Sequence, residues 1–304
     1  MLMEVSNLKK DFKVKVKEKG FKKTSKNVRA VEGIDFTIDK GEMVAFIGPN
    51  GAGKSTTIKM LTGIIKPSEG KILIDGLNPH KDRNKLAYKI GCMFGQKSQL
   101  YLHLSVLDSF YLIGSIYDMD KSTLENRIKE VSKTFQIENL LPLTVRKLSL
   151  GQRMICEIAG SMLHEPEILF LDEPTIGLDI VAKQRMRNII SDLNEKHNTT
   201  VFLTSHDISD IEALCNRVII INNGKIIKDC SMESLKSEYL HERVLKIRYD
   251  NGEENVVKVD TTKENISKVI FSCKQKGEIK DIKIESVGLE EVISNIYKGG
   301  KKNE

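Results

Sequence analysis

GPNGAGKST, residues 48–56, decides how the rest of the chain must be arranged. The apolar run EMVAFIG (42–48) leads into it as a short strand, and KSTTIKMLTGI (54–64) leaves it with helical spacing. Gly63 and Pro67 stand at and beyond the end of that helix as stop signals. A glycine-rich turn between a strand and a helix, closing on Lys-Ser-Thr, fits the pattern GxxxxGK[ST] in its required setting. The glycines let backbone amides converge on phosphate oxygens, and the helix N-terminus adds positive potential there. Lys54 is then placed to reach β- and γ-phosphates, and the Ser55 hydroxyl to ligate Mg²⁺.

A phosphate loop needs an acid for its metal, and EILFLDEP (167–174) supplies one. Its wholly apolar ILFL suits a strand buried on both faces, with Asp172 at the tip for magnesium and Glu173 beside it for a water. His206 ends a further β-branched strand, TVFLTSH (200–206), 33 residues past Glu173. KIGCMFGQ (89–96) ends in Gln96, and RVIIINNGKII (217–227) reads as one more strand. Helical patterns at 180–197 and 208–214 separate these strands. Strands alternating with helices predict a mainly parallel, covered sheet.

Between about residues 98 and 163 the periodicity is helical. Ser105 is placed to cap SVLDSFYLIGSIYD (105–118), and Ser122 with Glu125 makes a capping-box pattern ahead of LENRIKEVSKTF (124–135). LSLGQR (148–153) then sets a serine and a glycine at the mouth of the helix containing MICEIAGSML (154–163). That stretch has no acid and no metal-ligand spacing, so it can hold an anion but does no chemistry alone. Beyond about residue 231 the style changes to a small α+β appendage. There RVLKIRYDNGEENVVKVD (243–260) is a hairpin turning at Asn251-Gly252, followed by helix, strand and helix. KGGKKNE (298–304) reads as a frayed end.

With 304 residues, 40% hydrophobic and 30% charged, the composition is that of an ordinary globular protein with room for two domains. No apolar run approaches bilayer length, and MLMEVSNLKKDF has no apolar core of a secretion signal. Five scattered cysteines without a CxxC pair argue for reduced thiols in the cytoplasm and against a disulfide frame or zinc site. Residues 1–29 carry nine lysines and Arg29 against Glu4, Asp11 and Glu18, an excess of seven positive charges. KVKVKEKG (13–20), between the strands MEVSNLKKDF (3–12) and IDFTIDKG (34–41), fits a two-stranded ribbon with one wet face. Only Phe12 and Phe21 interleave with the lysines, so stacking surface for nucleic acid is thin.

The order of the pieces carries a resemblance. Phosphate loop, FGQ, LSLGQR, FLDEP, IGLD and TSHD follow one another as in the ATPase subunits of ABC transporters, which this chain resembles from residue 1 to about 230. The resemblance implies an α/β fold: a P-loop NTPase (RecA-like) core with an antiparallel β subdomain and a helical signature subdomain at about 98–163. The small C-terminal α+β domain (231–304) lies beyond the resemblance. It also implies ATP and Mg²⁺. Two copies would sandwich ATP, each nucleotide shared between Gly48, Pro49, Asn50, Gly51, Ala52, Gly53, Lys54, Ser55 and Thr56 of one copy and Ser149, Gly151 and Gln152 of the other.

Position by position, Glu173 matches the residue that polarises the attacking water, and His206 the switch on the γ-phosphate. Gln96 matches the glutamine that senses magnesium, alongside Ser55 and Asp172 as metal residues. Asp179 of IGLD matches the acid that communicates across the dimer, and Phe12 stands where the family stacks a ring on adenine. The family signature reads LSGGQ, and here Leu150 replaces its first glycine.

The surrounding text is similar to bacterial ATPases of the drug- and viologen-export branch. The expectation is an ATP-hydrolysing subunit, held at the inner face of the cell membrane by a separate permease and powering export. The alternatives are a soluble ABC-type ATPase acting on ribosomes or nucleic acid, and a nucleotide-regulated binding module without turnover. The single cassette, without the long coiled coils of DNA-repair relatives, weighs against the first. Glu173 and His206 weigh against the second.

Overall fold

The structure, a computed structural model, describes residues 1–17, 23–94, 98–237, 242–275, 277–286 and 288–297. The chain divides into two compact units, the first ending at Asp229 and the second beginning at Cys230.

The first unit opens with two long antiparallel strands, Met3–Lys17 (β1) and Lys23–Ile38 (β2). Met43–Ile47 (β3) runs into the phosphate loop, from which helix Lys54–Leu61 (α1) leaves. Glu69–Ile74 (β4) returns to pair with β1, giving a three-stranded antiparallel sheet ordered β2-β1-β4. A five-residue helix, Arg83–Ala87 (α2), unread in the sequence, precedes Ile90–Phe94 (β5). Helices Val106–Ile116 (α3), Lys121–Thr134 (α4) and Leu150–Ser161 (α5) form the helical insertion. Ile168–Asp172 (β6), Ile180–His197 (α6), Thr200–Thr204 (β7), Ile208–Leu214 (α7), Arg217–Asn222 (β8) and Lys225–Ser231 (β9) complete the unit.

The main sheet is ordered β5-β6-β7-β3-β8-β9, and its pairings from β5 through β8 are parallel. Strands β3 and β7 are buried along their whole length, as continuous apolar runs in a sheet covered on both faces should be. Phe202 of β7 is the hub of the core: its ring lies 5.3 Å from Phe46, 5.7 Å from Phe170 and 6.2 Å from Phe36. Phe36 belongs to β2, so this aromatic cluster fastens the antiparallel sheet to the parallel one.

Two sequence expectations need amendment. Ser105 does cap α3, accepting from the Asp108 amide at 2.9 Å, but α4 is capped by Asp120 and not by Ser122. The Asp120 carboxylate reaches the Thr123 amide at 3.0 Å, so the helix starts a half-turn earlier. RVIIINNGKII is two strands, not one: Asn223 and Gly224 both have positive φ (47° and 78°), the signature of a two-residue hairpin turn.

In the second unit Met232–Ser237 (α8) is followed by Glu242–Tyr249 (β10), Glu254–Asp260 (β11), Ile266–Lys274 (α9), Ile279–Ser286 (β12) and Leu289–Tyr297 (α10). The antiparallel sheet is ordered β11-β10-β12, and Leu245, Ile247, Tyr249, Val259 and Cys273 form its core. Among the described residues no helix is long and apolar enough to cross a membrane.

Because Phe202 is fully buried at the junction of both sheets, Phe202→Ala is expected to cost about 3–5 kcal/mol, cavity included. A urea titration checks this; an unchanged midpoint would show that the sheets are held elsewhere.

Candidate functional site

The phosphate loop owes its shape to two glycines with different reasons. A Cβ on Gly48 would sit 2.2 Å from the Ile221 carbonyl oxygen, so only glycine lets the loop pass this close to β8. Gly51 has open space around it but adopts φ +80°, a conformation that glycine accepts without strain. The β8–β9 turn pins the loop from below: the Gly224 amide donates to the Ala52 carbonyl at 3.0 Å, and the Gly224 carbonyl accepts from Glu32 at 2.8 Å. Nothing in the sequence reading had given Asn223-Gly224 that task.

Lys54 is buried, and its ammonium donates to the carbonyl oxygens of Gly48 (2.5 Å) and Pro49 (3.2 Å). Burial pulls its pKa below the ordinary lysine value, while Glu173 and Asp172 pull it back up. Ser55 is exposed in the first turn of α1, beside these carboxylates in one cavity of about 560 Å³. Thr56, Asp172, Glu173 and His206 line the same cavity, as does Ala30 of β2.

Asp172 and Thr204 end the adjacent strands β6 and β7 in register, and the threonine hydroxyl donates to the aspartate at 2.6 Å. One carboxylate oxygen is thereby oriented and the other is left for a cation. Among the described residues no group of three or more His, Cys, Asp or Glu is arranged to hold a metal ion by itself. One exposed hydroxyl with one carboxylate suits magnesium, which keeps most of its ligands as water and phosphate oxygen. Gln96, the third expected metal residue, lies outside the described residues.

Glu173 has φ +58°, rare for a residue with a side chain, and its amide donates to the Thr204 carbonyl at 3.1 Å. Its carboxylate lies 3.0 Å from His206 Nε2 and accepts from the His206 amide at 3.2 Å. Burial raises the Glu173 pKa above the usual carboxyl value, opposed first by His206. Behind this pair a buried network joins the two loops. Asp210, on α7, accepts from Thr175 and from Arg187 Nε (2.5 Å), and Arg187 also donates to Ser209 at 2.8 Å. Thr175, Arg187 and Asp210 were not singled out in the sequence, because a lone Thr, Arg or Asp carries no motif.

The signature segment builds a second cavity of about 290 Å³. Ser149 caps α5 in a full capping box: its Oγ accepts from the Gln152 amide at 3.2 Å, and its own amide donates to Gln152 Oε1 at 2.9 Å. The hydroxyl proton of Ser149 is then free to donate, beside the first amides of the helix. Gly151 is packed tightly, since a Cβ there would meet the Ala182 Cβ at 3.0 Å. Leu150 is 39% exposed and leans toward Gly177. The position that departs from LSGGQ is therefore the one with room.

Asp179 caps α6, accepting from the Ala182 amide at 2.8 Å, and lines the signature cavity. Phe12 is not brought to the phosphate cavity. It sits half-buried on the β1–β2 ribbon opposite Val28, with the Lys10 ammonium 5.1 Å from its ring centre.

Strand-end carboxylates facing a glycine-rich loop and a helix N-terminus define a nucleoside triphosphatase cassette. A family model described as "ABC transporter" matches residues 31–176. The chain is 34% identical over 215 residues to the ABC transporter ATP-binding protein NatA of Bacillus subtilis (strain 168), covering 71% of this chain and 87% of that protein. It is 31% identical over 275 residues to the bacitracin transport ATP-binding protein BcrA of Bacillus licheniformis, covering 90% and 83%. A solved dimeric, post-hydrolysis ATP-binding cassette bound to ADP and Pi superposes with a TM-score of 0.64 at 25% identity, over 76% of this chain and 99% of that one. The chain belongs to the ABC transporter family, as an ATP-binding and ATP-hydrolysing subunit that uses Mg²⁺. These likenesses give no support to action on ribosomes or nucleic acid.

Two outcomes follow from this geometry. In the nucleotide-free chain Gly48→Ala should lower the melting temperature more than Gly51→Ala, whose strain alone costs about 1 kcal/mol. Equal melting temperatures would show that the contact with Ile221 is relieved without cost. A carboxyl whose folded pKa is raised loses stability as pH climbs above its unfolded value, about 4.3, and none below it. Glu173→Gln should therefore melt above the wild type near neutral pH, with the gap closing as pH falls toward that value. A gap that is absent or reversed near neutral pH would contradict the burial penalty.

Proposed function

We propose that this chain drives export of a substrate across the cell membrane by closing on ATP as a head-to-tail pair and reopening after hydrolysis. The observation that carries this is the presence of two half-sites on one unit: a phosphate cradle with its carboxylates, and a separate capped helix mouth lined by Ser149, Gly151 and Gln152. Two copies related by a two-fold axis place each helix mouth over the other's cradle. The dimeric form of the related ADP-bound cassette and the transport named for the bacitracin relative support the reading.

In this reading Lys54 leaves the Gly48 and Pro49 carbonyls for the β- and γ-phosphates, while amides from Asn50 to Thr56 cradle them. Ser55 and Asp172 would hold Mg²⁺, which supplies charge neutralisation on the phosphates. Glu173, already within 3.0 Å of His206, orients the attacking water once the imidazole turns to the γ-phosphate. Ser149, Gly151 and Gln152 act on the partner's nucleotide, and Asp179 couples the two sites through the first turn of α6. Gln96 is assigned to magnesium by resemblance alone.

The membrane partner is a separate permease, which holds the ATPase peripherally at the cytoplasmic face. A groove of about 360 Å³ between core and helical insertion suits it, with Tyr101 and Ile116 exposed by 53% and 62% at its lining. Residues 1–230 form the ATPase domain and 231–304 an accessory domain.

Glu173→Gln is expected to retain ATP binding, lose at least about a hundredfold in turnover, and accumulate a dimer on a sizing column with ATP. Wild-type turnover by that variant would remove Glu173 from the chemistry. A monomer that binds ATP fully would remove the sandwich.

A further inference from the structure

Strands β1 and β2 outrun the sheet they belong to. β4 follows β1 only as far as the Lys9↔Glu69 pair, whereas β1 and β2 stay paired out to Lys17↔Lys23. From Asp11 onward the ribbon is two strands wide, and among the described residues no third strand pairs with it. Such a ribbon has little stability of its own in water unless a face is covered.

Its faces differ. Phe12 pairs with Val28, and Val14 follows on the same side of β1, so an apolar strip runs along the ribbon. Val14 and Val28 are each 44% exposed. Lys13, paired with Asn27, lies on the opposite side and is exposed. The described part of the ribbon, residues 10–17 and 23–26, holds six lysines against Asp11, an excess of five, where the whole chain has a net charge of +6. Asp11 is already taken by Arg29 at 2.9 Å. Most of the surplus charge of the protein therefore falls on one thin ribbon whose Val14 and Val28 are exposed.

Lysine positions on either side of the exposed Val14 and Val28 match an anionic bilayer surface, which offers negative headgroups above an apolar boundary. Lysine stems are long enough to bend round a ribbon whose strands lie about 5 Å apart. A nucleic acid would ask instead for stacking rings, and the one described ring, Phe12, is half-buried. We propose that the β1–β2 ribbon beyond Lys10 is a membrane-surface clasp that takes the headgroups of anionic phospholipids and holds the ATPase against the bilayer beside its permease. This rests on the transporter reading for its setting, and the clasp itself needs no permease.

The test is co-sedimentation of the full nucleotide-free chain with vesicles of phosphatidylcholine alone and of phosphatidylcholine mixed with phosphatidylglycerol. The wild type should partition onto the anionic vesicles only, and raised salt should release it. Lys13→Glu/Lys15→Glu/Lys17→Glu should lower the partition coefficient roughly tenfold or more. Val14→Ser/Val28→Ser should lower it several-fold at unchanged charge. Lys121→Glu/Lys129→Glu/Lys133→Glu, on the exposed side of α4, should bind as the wild type does. Melting curves confirm that each variant is folded, and ATP turnover of the same preparations reports on the transporter reading separately.

Four results overturn the clasp. They are wild type left in the supernatant, equal loss in the α4 variant, undiminished binding by the valine variant, and tighter binding to an RNA oligomer than to the anionic vesicles.

Discussion

The hydrogen bond from Thr204 to Asp172, 2.6 Å across two strand ends, is the contact on which the catalytic side of the molecule depends. It exists because β6 and β7 are neighbours in register, so that their last residues meet. β7 in turn lies against β3, and the phosphate loop begins where β3 ends. Asp172 and the glycine-rich loop are thus placed by backbone pairing and not by side-chain choice. The same threonine also receives the Glu173 amide through its backbone carbonyl, which holds the glutamate in its left-handed conformation. Displacing β7 would uncouple all three groups at once.

Behind the strand ends the polar groups are tied in pairs that bridge elements. Asp210 joins Thr175, two residues past Glu173, to Arg187 on α6, and it lies four residues past His206. Lys183 on α6 reaches Asp207 at 2.5 Å and holds its carboxyl down at about 2. Helices α6 and α7 are therefore tied to each other and to the loops bearing Glu173 and His206. Movement at the signature cavity, which α6 lines with Asp179 and Ala182, has a rigid path to Glu173 and His206.

At the other half-site, tight packing explains both what the signature keeps and what it gives up. Gly151 is needed because α5 and α6 touch at their first turns, whereas Leu150 points into space beside Gly177. Leucine also brings an exposed apolar side chain to a surface that already shows Ile180 and Val181 at 86% and 79% exposure. Such a patch belongs on a face that another copy covers.

What the sequence determined by itself was local. The glycine loop and its helix, the apolar strands, the acids at their tips, the extents of α6 and α7 and the capping serine at 149 follow from periodicity, turn chemistry and spacing. Its failures were local ambiguities decided by neighbours: an aspartate that out-reached a serine at the start of α4, and an Asn-Gly turn hidden inside an apolar run. Only the tertiary structure decided which strand ends meet, that Asn223-Gly224 pins the phosphate loop, and that Thr204, Thr175, Arg187 and Asp210 hold the catalytic pair. The reason is physical. A motif is a run of residues close along the chain, whereas these partners lie at least 23 residues apart and meet only through the order of strands in the sheet.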